Sequence, residues 1–502
     1  MSNKPISKML VLGGGSAGLL AAITLKRGFP DCEVKVVRSK EIGVIGVGEG
    51  TTITFPWMLH TVLGLSPQIF FERVKPTWKL GIRFFWGPRK EFNYSFSTQL
   101  DRQWPDLPRP NGYYCLDDVA DLNIQSAMMS RNRVFPVDAA GKMQTDAFMP
   151  AYHMENVKLV AFFEWQAAAL GIEILDDVLK EAASDGENIT HLDLESGKRL
   201  TADLYIDATG FRAELIGKVL KEPWISFSDT LYCDRAVVAS RPYEPGEDIE
   251  PYTTAETYDH GWCWRIDHEH HSNRGYVYCS GFVSDADAEA EYRRKNPKMG
   301  PSFLVRFRSG RHRRSWVGNV VAVGNAGGFV EPLEATALML LSIQCRALVQ
   351  MLMDSFLQPT PQMRMLLNEF IGGHWDDTRN FLSIHYRFNE RLNTPFWQHC
   401  RANVPVHALQ PLLDFYAEHG PSLLTKGILL RENNLFTLDG HYALLVGMKV
   451  PYKRVYTPSP EEWQRWRIRQ QRFAQAGETA VPIRKAIEIM RSPDWVWGPI
   501  RK

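Results

Sequence analysis

Lys79 stands in the stretch RVKPTWKLGIRFFWG, residues 73–87, among several aromatic side chains. An ammonium is a compact charge with three rotatable donors, and burial lowers its pKa readily. A lysine in such company can therefore hydrogen-bond, polarise or react with a small electrophile. The stretch alternates like a strand, with Trp78, Leu80, Ile82 and Phe84 on one face and Lys79 and Arg83 on the other. Taken alone, that pattern describes a solvated strand lysine, since Lys is seldom buried without a partner. A carboxylate, Glu334, lies in GGFVEPLEATAL just ahead of an apolar helical pattern. It has the chemistry of a general base, or of a group that polarises a bound reactant. Its ordinary reading is an acid in the first turn of a helix, favoured by the dipole.

GGGSAG, Gly13 to Gly18, fits G-x-G-x-x-G with glycines at 13, 15 and 18. It follows an apolar run and opens a helical pattern. In that context the glycines allow a tight turn, close backbone approach to a pyrophosphate and close helix packing, with Ser16 and Ala17 at the start of the helix. The motif predicts a bound dinucleotide. The second strand ends in Arg38, where an acid for the ribose is usual, with Glu41 nearby; Arg38 suits a 2'-phosphate, so this segment leaves NADP open beside FAD. Two later segments favour FAD. LYIDATG, residues 204–210, is an apolar strand ending in Asp207-Ala208-Thr209-Gly210, and GNVVAVGNAGGFVEPLEATAL carries Gly324 and Phe329 on a second glycine turn. A helix start after that turn presents free N–H groups and the positive end of a dipole to an anion.

The elements that must position these residues come in a clear order. KMLVLGGGSAGLLAAITLKRG and CEVKVVRS read as strand, turn, helix and second strand. KLVAFFEWQAAALGIEILDD is a helix running into a strand, and ENITHLDLESGKRLTADLYIDATG a hairpin followed by a buried strand. YTTAETYDHGWCWRIDHEHHSNRGYVYCSGFVS adds antiparallel strands. Beyond about residue 334 the 3.6-residue apolar period takes over in EATALMLLSIQCRALVQMLMDSF. Helices then dominate, broken by proline-containing loops at 404–411 and 457–460. The expected fold is α/β, a nucleotide-binding body with added antiparallel sheet and a C-terminal helical cap. Its division is residues 1–345 for the body, with the lysine-bearing sheet, and 346–502 for a mainly helical substrate-side region.

Composition narrows the function. A net charge of +1 over 502 residues argues against a protein that works by clinging to nucleic acid or anionic membrane. No apolar run approaches the ~18 residues of a membrane span, and the N-terminus reads as a first strand rather than a signal peptide. Seven cysteines are scattered without CxxC or zinc spacing, which predicts reduced thiols, a cytoplasmic setting and no structural metal. The histidine-rich DHEHHS, residues 267–272, is expected to be a solvated turn.

Five segments, in order, resemble the flavin-dependent halogenases related to the tryptophan halogenases: GVGEGTT (46–52), TWKLGIRFFW (77–86), GWCWRID (261–267), FVEPLEATAL (329–338) and WDDTRNFLSIHYRFNERLNTPFW (375–397). The likeness runs from Gly13 to about Trp397. It implies a flavoprotein-monooxygenase-like body and an enzyme that uses reduced FAD, O2 and halide to make hypohalous acid. That acid passes to a lysine beside an electron-rich aromatic substrate. Lys79 and Glu334 fall on the family's catalytic lysine and glutamate, and Glu49 on the strap between flavin and active site. The halide falls on backbone N–H groups of Thr336 and Ala337. Trp262 and Trp264 carry the WxWxIP signature, with Asp267 in place of its proline; two aromatic strand residues two apart describe the same geometry without a special role. Tyr94 and Phe96, in FNYSF, fall on the substrate ring side, where the family tends to show His and Phe.

His441-Tyr442 stand where a tryptophan is common, which leaves the substrate open among tryptophan, indole and a peptide-embedded or carrier-bound aromatic. Bromide, the more easily oxidised halide, is expected to be preferred over chloride. No second nucleotide fold is visible, so reduced flavin is expected from a separate flavin reductase by diffusion; the family also implies a homodimer. Two rivals are an aromatic monooxygenase and a catalytically silent flavin-binding relative. The Lys79–Glu334 pair speaks against the first, because hydroxylation needs neither residue, and its intactness speaks against the second.

Overall fold

A computed structural model describes residues 4–42, 48–97, 106–107 and 119–498. Its nucleotide-binding body grows from the apolar run Lys8–Leu12, which pairs in parallel with Leu204–Asp207 on one side and Glu33–Arg38 on the other. Glu173–Asp176 extends the sheet beyond Glu33–Arg38, and Val320–Ala322 extends it beyond Leu204–Asp207 with an antiparallel edge strand, Trp316–Val317. Parallel strands covered on both faces read as continuous apolar runs, as KMLVL and LYID do. The helix Ser16–Gly28 follows the glycine turn, with Leu19 to Leu25 buried without interruption.

A seven-stranded sheet forms the second layer. It runs antiparallel from Ser302–Arg306 through Arg235–Pro242, His271–Tyr278 and Gly261–Asp267 to Thr253–Tyr258. Thr253–Tyr258 then pairs in parallel with Gly81–Phe85, and Phe92–Ser95 closes the sheet. A small third sheet joins Glu49–Gly50, Ala151–Met154 and Thr77–Lys79.

The expected single strand across 73–87 is therefore corrected. The chain breaks at Leu80, whose N–H bonds the carbonyl of Pro251 and whose carbonyl accepts from Phe96. Thr77–Lys79 belongs to the three-stranded sheet and Gly81–Phe85 to the seven-stranded one. Both faces are covered, so Trp78 through Phe84 are all buried. Arg83 is held by contacts: its guanidinium donates to Asn93 Oδ1, the Tyr252 hydroxyl and the Met129 carbonyl, with Glu91 3.6 Å away.

The C-terminal third is helical, as the periodicity predicts: Ala337–Asp354, Pro361–Arg387, Pro395–Asn403, Gln410–His419, Thr437–Gly447, Pro460–Thr479 and Ile483–Arg491. Local chemistry starts several of them. Thr360, Thr394 and Ser459 each cap a helix through the side-chain oxygen, with proline in the first turn, where its missing N–H is no loss.

Ala337–Asp354 corrects only the expectation that no apolar run approaches a span, since by length and composition it is long and apolar enough to cross a membrane. Half of it is buried, against Ser16–Gly28 and Pro361–Arg387, and Gln344 within it donates to the Ala322 carbonyl. This is a core helix. Cys345, at the expected division of the chain, lies inside it.

DHEHHS also departs from expectation. It turns between two strands of the large sheet. There His268 is buried beside Asn273 and packed on His271, and Glu269 is held by Arg491. Burial drives the His268 imidazole down to about 3, and His270 alone is well exposed. Among the described residues no His, Cys, Asp and Glu group is arranged to hold a metal. Cys32, Cys233, Cys263, Cys279, Cys345 and Cys400 are free and buried; Cys115 and the first two residues of GVGEGTT lie outside the described residues.

Candidate active site

A cavity of about 710 Å³ opens where the C-terminal ends of the parallel strands meet the large sheet. Gly13, Gly15, Ser16, Ala17, Arg38, Glu49, Gly324 and Phe329, all expected on the cofactor side, line it. The glycine turn is sterically enforced. A Cβ on Gly13, where φ is +116°, would sit 2.3 Å from the Ala208 carbonyl oxygen, and one on Gly18 would sit 1.9 Å from the Gly13 oxygen. A Cβ on Gly15 would meet nothing within 4 Å, so its bare backbone faces open space, as close approach by a pyrophosphate requires. The residues present fit FAD on this observation.

Arg38 pairs with Glu164 at 3.0 Å, so its charge is already answered within the protein. Glu49 has its carboxyl pushed up to about 7 by burial. Asp207 does not line the cavity. Its buried carboxylate accepts from the backbone N–H groups of Thr209, Leu215 and Ile216 and from the Thr209 hydroxyl. Its observed work is to fix the turn that carries Thr209 and Gly210 to the cavity. Gly18 packs helix against strand and stays behind the wall.

Lys79 lies on a different side of this wall. It is fully buried, and its Nζ has no hydrogen-bond partner among the described residues. Burial drives the amine down to about 7, against the attraction of Glu334, which favours the charged form. Phe96 presents its ring 5.5 Å from Nζ. The three-stranded sheet ties this lysine to the cavity: Lys79 pairs with Ala151, and the same central strand pairs Glu49 with Met154.

Residues 330–337 run along one wall of the cavity. Val330, Pro332, Ala335 and Ala337 line the cavity, whereas Glu331, Glu334 and Thr336 are buried and do not. Glu334 ends a short 3-10 turn, Pro332–Glu334. Ala335 then takes a left-handed conformation, φ 54°, before the helix begins at Ala337. Glu334 is thus outside the helix, and its first-turn reading is corrected. The N–H groups of the first helical turn have no intrahelical partner, and those of the Thr336–Ala337 region stand beside the cavity wall. Trp264 lines the cavity, while Trp262 is fully buried behind it and donates from Nε1 to Glu331 Oε2 at 3.4 Å. Burial raises the Glu331 carboxyl to about 7.

Beyond Glu334 lies a set of residues that sequence reasoning missed. His385, from Pro361–Arg387, contacts Glu334 Oε1 through Nε2 at 2.7 Å. Phe381, one turn earlier, stacks on Phe436 at 3.8 Å and meets the edges of His385 and His441. Tyr94 reaches the same group, 6.3 Å from Phe381, and Gly440 leaves room for its hydroxyl: a Cβ there would lie 2.4 Å away. His441 is buried, its imidazole driven down to about 4. Tyr442 is turned to a structural role, its hydroxyl on Thr425 and Ser422. The signal for His385 was present in the quoted FLSIHYR stretch: a histidine one helical turn after a phenylalanine.

The arrangement is a dinucleotide cavity and a buried amine–carboxylate pair, separated by one turn of chain. Known proteins are similar to this chain. A family model described as tryptophan halogenase matches residues 8–460. Tryptophan 7-halogenase RebH of Lentzea aerocolonigenes is 30% identical over 452 residues, which cover 83% of this chain and 82% of that protein. Tryptophan 7-halogenase KtzQ of Kutzneria sp. (strain 744) is 31% identical over 467 residues, 88% of this chain and 86% of that one. Among solved structures, MibH, a lanthipeptide tryptophan 5-halogenase, is similar with a TM-score of 0.88 and 36% identity, over 97% of this chain and 94% of that one. The tryptophan 6-halogenase SttH of Streptomyces toxytricini is similar with a TM-score of 0.85 and 26% identity, over 96% and 99%.

Proposed function

Because this chain belongs to the tryptophan halogenase family, we propose that Lys79 receives hypohalous acid and delivers it to an indole ring held beside Glu334. The protein is a flavin-dependent aryl halogenase. When bound, reduced FAD together with O2 supplies the oxidising equivalent that turns halide into hypohalous acid. The protein's residues have separate tasks. Gly13 and Gly15 leave the backbone open to the pyrophosphate, while Ser16, Ala17, Arg38, Glu49, Gly324 and Phe329 wall the cavity. Backbone N–H groups at Thr336 and Ala337 hold the halide, since free N–H groups at a helix start favour an anion.

The observation that carries the reading is Lys79 itself: a fully buried amine, without a hydrogen-bond partner, facing a carboxylate. Such an amine is unfavourable for the fold, and groups of this kind cluster at functional sites. As ammonium it donates to the oxygen of HOX and polarises the O–X bond. Glu334 accepts the ring proton after the C–X bond forms. Trp262 and Trp264 fill the layer between the two spaces and keep water and the aromatic substrate from the cavity. Tyr94 and Phe96 stand on the ring side.

The finer assignments belong to the same proposal. Bromide is preferred over chloride, because it is easier to oxidise. Reduced flavin comes from a separate reductase by diffusion, and the working form is a homodimer. The substrate is a tryptophan-type indole. A tryptophan held within a peptide is a second reading, favoured by the 36% identity to MibH against 26% to SttH.

The test is a reaction of purified protein with FAD, a flavin reductase, NADH and O2. Tryptophan, indole and a tryptophan-containing peptide are offered separately with bromide or chloride, and products are read by mass spectrometry. A bromine isotope doublet on any of the three supports halogenation, and its distribution decides between free and peptide-held indole. Hydroxylated product without halide dependence would overturn the proposal in favour of a monooxygenase. Rapid NADH oxidation without the reductase would overturn the diffusive supply.

A further inference from the structure

We infer that His385 is the positioning residue for Glu334: it holds carboxylate oxygen Oε1 and stores a proton there, so that Oε2 alone serves the substrate ring. This rests on the reading of Glu334 as the group that takes the ring proton.

The geometry is specific. His385 is fully buried near the end of Pro361–Arg387. Its Nε2 lies 2.7 Å from Glu334 Oε1, and its Nδ1 lies 3.3 Å from the Phe381 carbonyl oxygen. The ring is gripped by Phe84 at 5.3 Å, Phe381 at 5.4 Å and Trp86 at 6.2 Å. The Trp86 indole N–H donates to the backbone carbonyl of His385 itself, at 2.8 Å. Rotation of the imidazole away from Glu334 would therefore displace three aromatic neighbours.

Both ring nitrogens face oxygen acceptors. A neutral imidazole carries one N–H and can satisfy only one of them. The second contact needs a further proton, either on the ring, giving imidazolium and carboxylate, or on Glu334, giving a carboxyl that donates to Nε2. In either form one proton lies between Nε2 and Oε1, and Oε1 is committed. The remaining oxygen acts on the substrate. In the substitution a ring π pair forms the C–X bond while the X–O pair stays with oxygen as hydroxide. The Lys79 ammonium protonates that hydroxide to water. The ring C–H pair returns to the π system, and its proton goes to Glu334 Oε2. The proton already at Oε1 shifts fully to Nε2 in the same step, so the carboxyl group never carries two. Return of one proton from the Glu334–His385 pair to Lys79 restores the site.

Two variants and two readouts separate positioning from packing. His385→Leu removes the ring partner of Oε1, and His385→Gln keeps a polar group that can reach it. With the reductase system and bromide, and with indole and tryptophan as probes, His385→Leu should lower product formation by about 10²-fold, the scale set by a misplaced catalytic group. Flavin oxidation should continue. His385→Gln should recover to within about tenfold of the parent. In a competition between ordinary and ring-deuterated probe, the parent should show no discrimination. His385→Leu should favour the protium form, because loss of the ring proton has become slow.

A turnover-independent readout accompanies these. In protein labelled with 15N-histidine, the imidazole signal that disappears in His385→Gln should shift in Glu334→Gln. Product formation unchanged in His385→Leu overturns the proposal. So does equal loss in both His385 variants without isotope discrimination, and so does an imidazole signal indifferent to Glu334→Gln. If the parent halogenates neither probe, the substrate reading fails, while the imidazole signal still decides the His385–Glu334 contact.

Discussion

Replacing Lys79 by methionine should make the protein more stable while abolishing product. Lys79 is fully buried without a hydrogen-bond partner, and its amine is driven from 10.5 to about 7. A fall of that size corresponds to about 5 kcal/mol held against the charged form. The sign follows from proton binding. Between about pH 7 and 10.5 the unfolded chain keeps a proton on this lysine that the folded chain has lost, so stability rises with pH across that window. The destabilisation is complete below about pH 7 and gone above 10.5. Worked through, it is about 4.5 kcal/mol at pH 6.5 and about 1.4 kcal/mol at pH 9.5.

Lys79→Met removes the titrating group and keeps similar volume, so its advantage over the parent should shrink by about 3 kcal/mol between those two pH values. The substitution also deprives Glu334 of the lysine's charge. The comparison of two pH values within one pair of proteins reduces that offset. The assay is the thermal midpoint of parent and variant at both pH values, beside product formation and flavin oxidation under the same conditions. Lys79→Met should melt higher at pH 6.5, with a smaller lead at pH 9.5, and should oxidise flavin without halogenating. A variant less stable at both pH values, or a lead that does not narrow, would refute the reasoning that Lys79 is held against its own solvation. A variant that halogenates normally would refute its role.

Other substitutions have equally definite outcomes. Glu334→Gln should lower product formation by about 10²- to 10⁴-fold, the usual worth of a positioned acid or base, with flavin oxidation retained. Glu331→Gln should stabilise with the opposite pH sense. Burial raises that carboxyl from 4.5 to about 7, so the folded state binds the extra proton between those values and stability falls as pH rises through them. The gain on substitution should be near zero at pH 4.5 and about 3 kcal/mol at pH 8, measured by thermal or urea midpoints. Gly15→Val should leave the fold intact, because open space surrounds its Cβ position. It should weaken FAD binding about tenfold or more, the effect of about 1–3 kcal/mol of overpacking, measured by fluorescence titration of flavin. Gly13→Ala should lower the melting temperature as well, since its Cβ meets a backbone oxygen at 2.3 Å.

The chain's local patterns determined what local forces control. GGGSAG specifies strand, tight turn and helix because only glycine tolerates the approach of Ala208 to Gly13 and of Gly13 to Gly18. The order of βαβ units, added sheet and helices was legible from hydrophobic period. The helix starts at Thr360, Thr394 and Ser459 were written in their own caps. Lys79 and Glu334 were legible as residue types within motifs.

Tertiary structure decided their state. A period of two reports one buried face, so it could not show that the strand breaks at Leu80 or that both faces of Trp78–Phe84 are covered. Asp207 was expected among the cofactor-binding residues from its place at the end of an apolar strand; only the fold turned its carboxylate onto three backbone N–H groups. His268 reads as polar and exposed until Asn273 and His271 close over it. The contact of His385 with Glu334 joins residues 51 apart in the chain. No local pattern encodes such a pair. It exists because a long helix packs His385 against the turn that carries Glu334, and burial holds the two side chains in contact.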